Sequence, residues 1–341
     1  MTTADAGRQR VLFCAETANA STWYRAHVPG DALRDRGYEF TLTSDPMPSD
    51  VERCDTFAAR VPVGPKTWRA LDYAKSLGKR CVLDLDDDVW SLHPDNPAFE
   101  HFRASGAGEH ARAAIRRADL VTTPTEYLAE LVSPMNRSVA VVPNALPADR
   151  WPATPKDLEH GGPVVVGWAG SSSHGPDVAI LSGVVEAVLS SCPDVRFAFS
   201  YTLDLPFGND ERIELLPAVP IEEYAGMVER FDVGLAPLLD SRFNRAKSDL
   251  KILEYGICGI PAVASKVLPY VGAIDHNASG LIAASPKDWI KSIRRLVEDP
   301  ELRSRLGAAA RVRAERRTVD RVITKWIDAY GLSGTSRQDD S

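Results

Sequence analysis

Short apolar runs alternate with amphipathic stretches along the whole chain. In the first half, runs of strand length lie at 11–16, 38–44, 56–62, 80–86, 119–125 and 139–144. In the second half they lie at 163–170, 195–201, 213–219, 232–238, 261–265 and 280–284. Helical patterning falls between them, at 67–78, 108–118, 176–191, 248–258 and 287–298, with two further helices at 300–315 and 318–331. Strands alternating with helices predict parallel sheets, and near-continuous apolar strands predict sheets covered on both faces. The stretch PADRWPATPKDLEHGGP (147–163) interrupts the pattern with proline, glycine and charge and reads as a linker. The expected fold class is therefore α/β, with two Rossmann-like halves. The N-terminal one spans 1–150, a linker 151–162 and the C-terminal one 163–315. A helix follows at 316–331, and the polar tail 332–341 is expected to be disordered.

Composition narrows the class. A length of 341 residues suits two domains, and the formal net charge is −7. Residues 1–150 carry 18 Lys and Arg against 21 Asp and Glu, so neither half shows the basic footprint of a nucleic-acid binder. No apolar run has membrane-spanning length, and MTTADAGRQR contains no signal-like apolar core, so a cytoplasmic location is expected. The five cysteines are scattered without a C-x-x-C pair, which argues for buried reduced thiols and against zinc.

Candidate chemistry sits at strand ends, where ligands bind in parallel α/β sheets. After the run at 163–170 comes SSSHGPD, with Pro176 suited to a first helical turn. Backbone N–H groups of Gly170–Gly175, with the hydroxyls of Ser171, Ser172 and Ser173 and with His174, could cradle a phosphate, or the loop is a plain turn. After the run at 232–238 comes KSDLKILEYG (247–256). Here Lys247, Lys251 and Glu254 border the stripe of Leu250, Leu253 and Ile257, on a helix expected to begin at Lys247 or Ser248. Cations at that end oppose the helix dipole, which an anion held by both lysines would explain. A carboxylate such as Glu254 suits a ribose diol. The bland alternative is a solvated cluster with Lys251 and Glu254 paired. Asp86, Asp87 and Asp88 follow the run at 80–86 and need water, a cation, arginine or sugar hydroxyls. Tyr24, Arg25 and His27 follow the first strand and could face a cleft there, although a lone histidine such as His27 is more often structural.

Together these segments resemble the GT-B glycosyltransferases, especially the large retaining group called group 1 or family 4. The most specific stretch is FDVGLAPLLDSRFNRAKSDLKILEYGICGIPAVAS (231–265), with VVVGWAGSSSHGPDV, VTTPTEYLAELV, VAVVPNALPADRW, STWYRAHVP and LDLDDDVWSLHPDNP in support. The resemblance implies two Rossmann-like domains facing across a cleft, with the last helix crossing back to the first domain. It implies a nucleoside-diphosphate sugar as co-substrate, no cofactor and no required metal. By position, Glu254 resembles the ribose ligand, while Lys247, Ser248, Lys251 and the Gly170–His174 loop resemble the diphosphate and sugar ligands. Lys247 and Lys251 are also the expected leaving-group stabilisers. Leu215–Val219 is expected to line a nucleobase pocket. Asp86, Asp87 and Asp88, with Tyr24, Arg25 and His27, are expected to bind the acceptor, and Asp87, Asp88 or His27 would be the base in an inverting reaction. The acceptor could be a glycan, a lipid-linked or small molecule, or a modified base in DNA. A non-catalytic nucleotide-sugar-binding protein and an epimerase are the other readings. The chain departs from the family pattern at Ala246, where a second glutamate commonly stands eight positions before the ribose ligand.

Overall fold

The computed structural model describes residues 8–16, 19–94, 99–200 and 205–333, so most of the expected tail lies outside the described residues. All twelve apolar runs form strands: β1 Arg10–Cys14, β2 Glu39–Thr43, β3 Thr56–Arg60, β4 Arg80–Asp84, β5 Leu120–Thr123 and β6 Val139–Val141 in the first half. In the second half they are β7 Val164–Trp168, β8 Val195–Ser200, β9 Ile213–Leu216, β10 Val233–Ala236, β11 Ala262–Ser265 and β12 Gly280–Ala283. They build two all-parallel six-stranded sheets, ordered β2-β1-β3-β4-β5-β6 and β12-β11-β10-β7-β8-β9. The order turns back beside β1 in one sheet and beside β7 in the other. Crevices at the carboxyl ends of such strands are the natural ligand sites of open α/β sheets.

The helices that matter for the cleft are α1 Val28–Arg34, α2 Val184–Ser191, α3 Leu250–Ile257, α4 Pro300–Glu315 and α5 Val319–Tyr330. Two helical expectations change. The segment 176–191 is not one helix: a short turn at Gly175–Val178 and a 3-10 turn at Ala179–Leu181 precede α2. The break falls at Gly183, whose φ of 73° is open to glycine and ends the run. Nor does α3 start at Lys247 or Ser248. A short helix over Arg242–Arg245, capped by Ser241, comes first, and Asp249 takes the N-cap position.

Close backbone packing holds α3 in place. A Cβ on Gly256 would lie 2.9 Å from the Ala310 carbonyl oxygen, and one on Gly307 would lie 1.9 Å from that of Gly259. Helix α4 therefore lies directly against α3 and the turn that ends it. Beneath α3, Tyr255 is fully buried over Gly234 of β10 and donates to the Leu235 carbonyl at 2.9 Å.

The chain then returns to the first sheet. Helix α5 packs against α1, with Arg36 paired to Asp320 at 2.9 Å. Its last carbonyls accept from Thr56 (Tyr330 O, 2.8 Å) and Arg80 (Ala329 O, 3.1 Å). The two crossings between the sheets lie side by side: Leu146 N–H donates to Arg317 O at 2.9 Å, and Val319 N–H to Leu146 O at 2.8 Å. Among the described residues no helix is long and apolar enough to cross a membrane.

Gly307→Ala tests this packing. The added methyl meets backbone rather than a flexible side chain, so the substitution is expected to cost about 1–3 kcal/mol. Urea denaturation would show a lower midpoint at unchanged slope; an unchanged midpoint would remove the close contact between α3 and α4.

Candidate functional site

A cleft of about 460 Å³ lies between the carboxyl ends of the two sheets. The second sheet supplies Gly170, Ser171, Ser173 and His174 after β7, then Lys247, Ser248, Lys251 and Glu254 before and on α3. The first sheet supplies Ser21, Tyr24, Arg25, Asp86, Asp87 and Asn144.

The loop after β7 and the start of α3 meet because β7 and β10 are neighbours in the sheet. Lys251 donates to the Ala169 carbonyl and sits 5.2 Å over the Trp168 ring. Its burial pushes the ammonium pKa down, against the pull of Glu254. Lys247, one turn earlier, sits 4.6 Å over the Phe243 ring, with Asp87 its ion partner at 3.7 Å. Ser248 accepts from Asn144 Nδ2 at 2.9 Å, joining the two walls. His174 Nδ1 lies 2.8 Å from Asp177 Oδ2. Burial pushes the imidazole down to about 4 in spite of Asp177, with Lys247 and Lys251 adding to the shift, so His174 is neutral near pH 7. Asp177 is itself buried and accepts through Oδ1 from Leu239 N–H and Asn244 Nδ2. The Ser172 side chain lies outside the described residues.

Glu254 is 5% exposed and does not pair with Lys251. Both carboxylate oxygens accept from tyrosines: Oε1 from Tyr24 at 2.8 Å and Oε2 from Tyr224 at 3.0 Å. Burial raises its pKa, while Lys251 and the two hydroxyls oppose the rise. Tyr24 comes from the first sheet and Tyr224 from the second, so this carboxylate is a junction between the walls.

Tyr24 and Arg25 both point inward because residues 23–27 form a π-helical turn, which continues a short helix over Ala20–Thr22 capped by Asn19. Such turns widen a helix and recur at functional sites. Arg25 lines the cleft but is wholly engaged. It forks onto Asp84 (3.0 and 2.6 Å), donates to Val142 O (2.6 Å) and Asn144 Oδ1 (3.0 Å), and lies 4.7 Å over Trp326.

The three aspartates diverge. Asp86 pairs with Arg60 at 3.0 Å. Burial acts to raise its pKa, but Arg60 and the Ser21 hydroxyl outweigh it and hold the carboxyl low. Asp87 is raised by burial and by Asp86, against Lys247. Asp88 turns away: it is fully buried, Oδ1 accepts from Trp90 N–H at 3.1 Å and Oδ2 from Arg242 at 3.1 Å. It does not line the cleft, contrary to the expectation for an acceptor ligand or base. His27 takes the structural place that a lone histidine more often has. Its ring lies tilted against Trp23, with 5.5 Å between centroids, and it is not among the lining residues. Of Leu215–Val219, Leu215 is 46% exposed on the outside, and the lining is made by Ala218 and Val219 with Ile221 and Met227.

Ala246 has a structural reason. It is fully buried in the core of the first sheet, and its carbonyl accepts from Thr125 Oγ1 at 3.2 Å. A glutamate there would bury a charge in that apolar cluster. Sequence reading passed over Tyr224, Asn144 and Asp177. Asn144 stands just beyond the end of β6, where strand-end reading could have found it; Asp177 lies in the helical turn Gly175–Val178 that follows the loop after β7, and Tyr224 carries no motif. Among the described residues, no three His, Cys, Asp or Glu side chains are grouped to hold a metal ion.

The second sheet's half of this cleft has known counterparts. The family model described as "Glycosyl transferases group 1" matches residues 250–313, which run from the start of α3 almost to the end of α4. A D-inositol 3-phosphate glycosyltransferase of Pseudarthrobacter chlorophenolicus is 30% identical over 123 residues. That match covers 36% of this chain and 28% of the relative, so the chain spans under a third of that relative's length. Among solved structures, sucrose-phosphate synthase from Thermosynechococcus elongatus aligns with a TM-score of 0.69 at 14% identity, over 95% of this chain and 98% of that one. Anabaena HepE, solved in complex with UDP-glucose, aligns at 0.67 and 16% identity, over 95% and 100%. With two facing parallel sheets and the matched segment at the cleft, the chain has the GT-B fold, and its residues 250–313 match the glycosyl transferases of group 1.

Proposed function

We propose that the chain moves a sugar from a nucleoside diphosphate sugar to an acceptor hydroxyl, with retention of anomeric configuration. One observation carries this: two lysines, a buried carboxylate and the Gly170–His174 loop converge on one cleft between the sheets. A diphosphate needs the first and third, and a ribose diol needs the second. The UDP-glucose held by HepE, which shares the fold, fits the same reading.

In this reading Lys251 turns from the Ala169 carbonyl, and Lys247 from Asp87, to the donor diphosphate. Both then offset the charge that grows on the leaving group, so the counter-charge comes from this chain and not from a metal ion. His174, held neutral with its Nδ1–H given to Asp177, turns Nε2 to the cleft as an acceptor and adds no positive charge there. The bond between the anomeric carbon and the diphosphate oxygen breaks, and the acceptor oxygen bonds to that carbon on the same face. The acceptor's proton passes to the departing phosphate oxygen, so no strong base is required. Ala218, Val219, Ile221 and Met227 would pack the base, and Glu254 would take the ribose.

Purified chain screened by thermal shift against UDP-, GDP-, ADP- and dTDP-sugars is expected to respond to one nucleotide. A ligand at ~100 times its Kd stabilises by roughly 2.7 kcal/mol. Lys247→Ala and Glu254→Ala should abolish the shift, and a folded protein that responds to none would refute the donor reading. Tyr24→Phe gives a second test, because the ribose has to displace the Tyr24 hydroxyl from Glu254. A hydrogen bond to a charged group contributes about 1.5–3 kcal/mol, so the variant should melt earlier yet bind nucleotide about 10- to 100-fold more tightly by calorimetry. Weaker binding would show that the hydroxyl helps hold the donor.

A further inference from the structure

The two walls of the cleft differ in electrical character. Among the described lining residues the cations are Lys247 and Lys251 on the second-sheet wall and Arg25 on the first. Arg25 is 1% exposed, and Asp84, Val142 O, Asn144 and the Trp326 face take up its guanidinium. Arg60, behind the wall, is held by Asp86 at 3.0 Å and Asn19 at 2.9 Å. Further out, Arg242 lies on Asp88 at 3.1 Å and Arg150 lies 5.6 Å over the Trp23 ring. What this wall offers a ligand is the Ser21 hydroxyl, the Asn144 amide and the carboxylates of Asp86 and Asp87.

Asp86 keeps Arg60 whatever binds. Asp87 does not keep Lys247 in the same way, because their contact spans the cleft at 3.7 Å and joins the two walls. If the donor reading holds, on which this inference rests, the diphosphate takes Lys247 and Lys251 together. Asp87 is then left with only the field of Arg60, a guanidinium that Asp86 already holds, beside Asp86 and beside a doubly charged donor. A phosphate or carboxylate on the acceptor would enter beside Asp87 and the donor diphosphate, with Arg25 and Arg60 already held by carboxylates. Hydroxyl or ammonium hydrogens would instead meet an acceptor-rich surface.

We propose that the acceptor is a non-anionic polyhydroxyl ring, a sugar or cyclitol free of phosphate and carboxylate. Asp87 takes one of its hydroxyl or ammonium groups once Lys247 has turned to the donor. Asp87 thus selects the acceptor by charge, and donor binding is what uncovers it. This order of events makes the acceptor site complete only after the donor site is filled.

The test uses the full chain and the nucleotide sugar that binds it. A panel of monosaccharides and cyclitols is offered in matched unsubstituted, amino-substituted and phosphorylated forms, and products are quantified by mass spectrometry. Product is expected from unsubstituted or amino forms, with kcat/KM for each phosphorylated twin lower by about 100-fold or more, since like charges brought together in a desolvated site are strongly disfavoured. Asp87→Asn should narrow that ratio by about tenfold, because the mutated carboxylate and the acceptor phosphate interact directly. Its nucleotide Kd should hold or tighten. A merely structural Asp87 would lower all three forms together and leave the ratio unchanged, which would overturn the proposal. A phosphorylated acceptor used as well as its parent would overturn it, as would donor binding with no product from any member. Absence of nucleotide binding by calorimetry would overturn the donor reading itself, and is thereby told apart.

Discussion

The ion pair between Arg25 and Asp84 fixes the geometry on which the cleft depends. Both side chains are about 1% exposed, so neither charge can be left alone there without a penalty of several kcal/mol. Asp84 ends β4, and its Oδ1 also accepts from Thr122 of β5 at 2.7 Å. Arg25 reaches the end of β6 through Val142 O and Asn144, and α5 through Trp326. One guanidinium thus ties the turn after β1 to three strand ends and to the last helix. Its satisfaction in every direction gives the turn a single position. Tyr24, the residue before, is thereby delivered to Glu254, and Asn144 is turned so that its amide meets Ser248. The contacts between the two walls are built outward from this pair.

The strands were legible because burial on both faces leaves a continuous apolar signature, which needs no knowledge of partners. VVVGW and RCVLD could be little else. Helix edges were less so. The start of α3 was misplaced because Lys247 and Ser248 continue its periodicity, while the backbone follows Ser241 and Asp249 into separate short elements. At the cleft, sequence could place Lys251 and Glu254 on one helix beside a strand end, since that rests on local spacing. It could not tell which of three adjacent aspartates faces inward. As the chain leaves β4 their side chains point in different directions, and only the position of Arg60, Lys247 and Arg242 in space decides which partner each takes. Tyr224 meeting Tyr24 across Glu254 depends on how the two sheets dock, which no local pattern encodes.

Charge is arranged in layers from the core to the cleft. Arg25 and Arg60 are neutralised close to the first sheet, whereas Lys247 and Lys251 rest on weaker holds, a long ion pair, aromatic faces and a carbonyl. A cation held by a carbonyl or a ring face gives it up at smaller cost than one forked onto a buried carboxylate. The chain keeps its structural cations and its exchangeable ones on opposite walls.

The double crossing between the sheets has a mechanical meaning. Two separate tethers would leave the sheets free to twist as well as part. Here the strands of the crossing are bonded to each other at Leu146, Arg317 and Val319, and Arg317 also clasps the Asn144 carbonyl and Asp249. The two passages therefore act as one pin. Relative motion is reduced to swinging about that line, and the cleft can widen only at the edge away from it, like a book opened from its fore-edge.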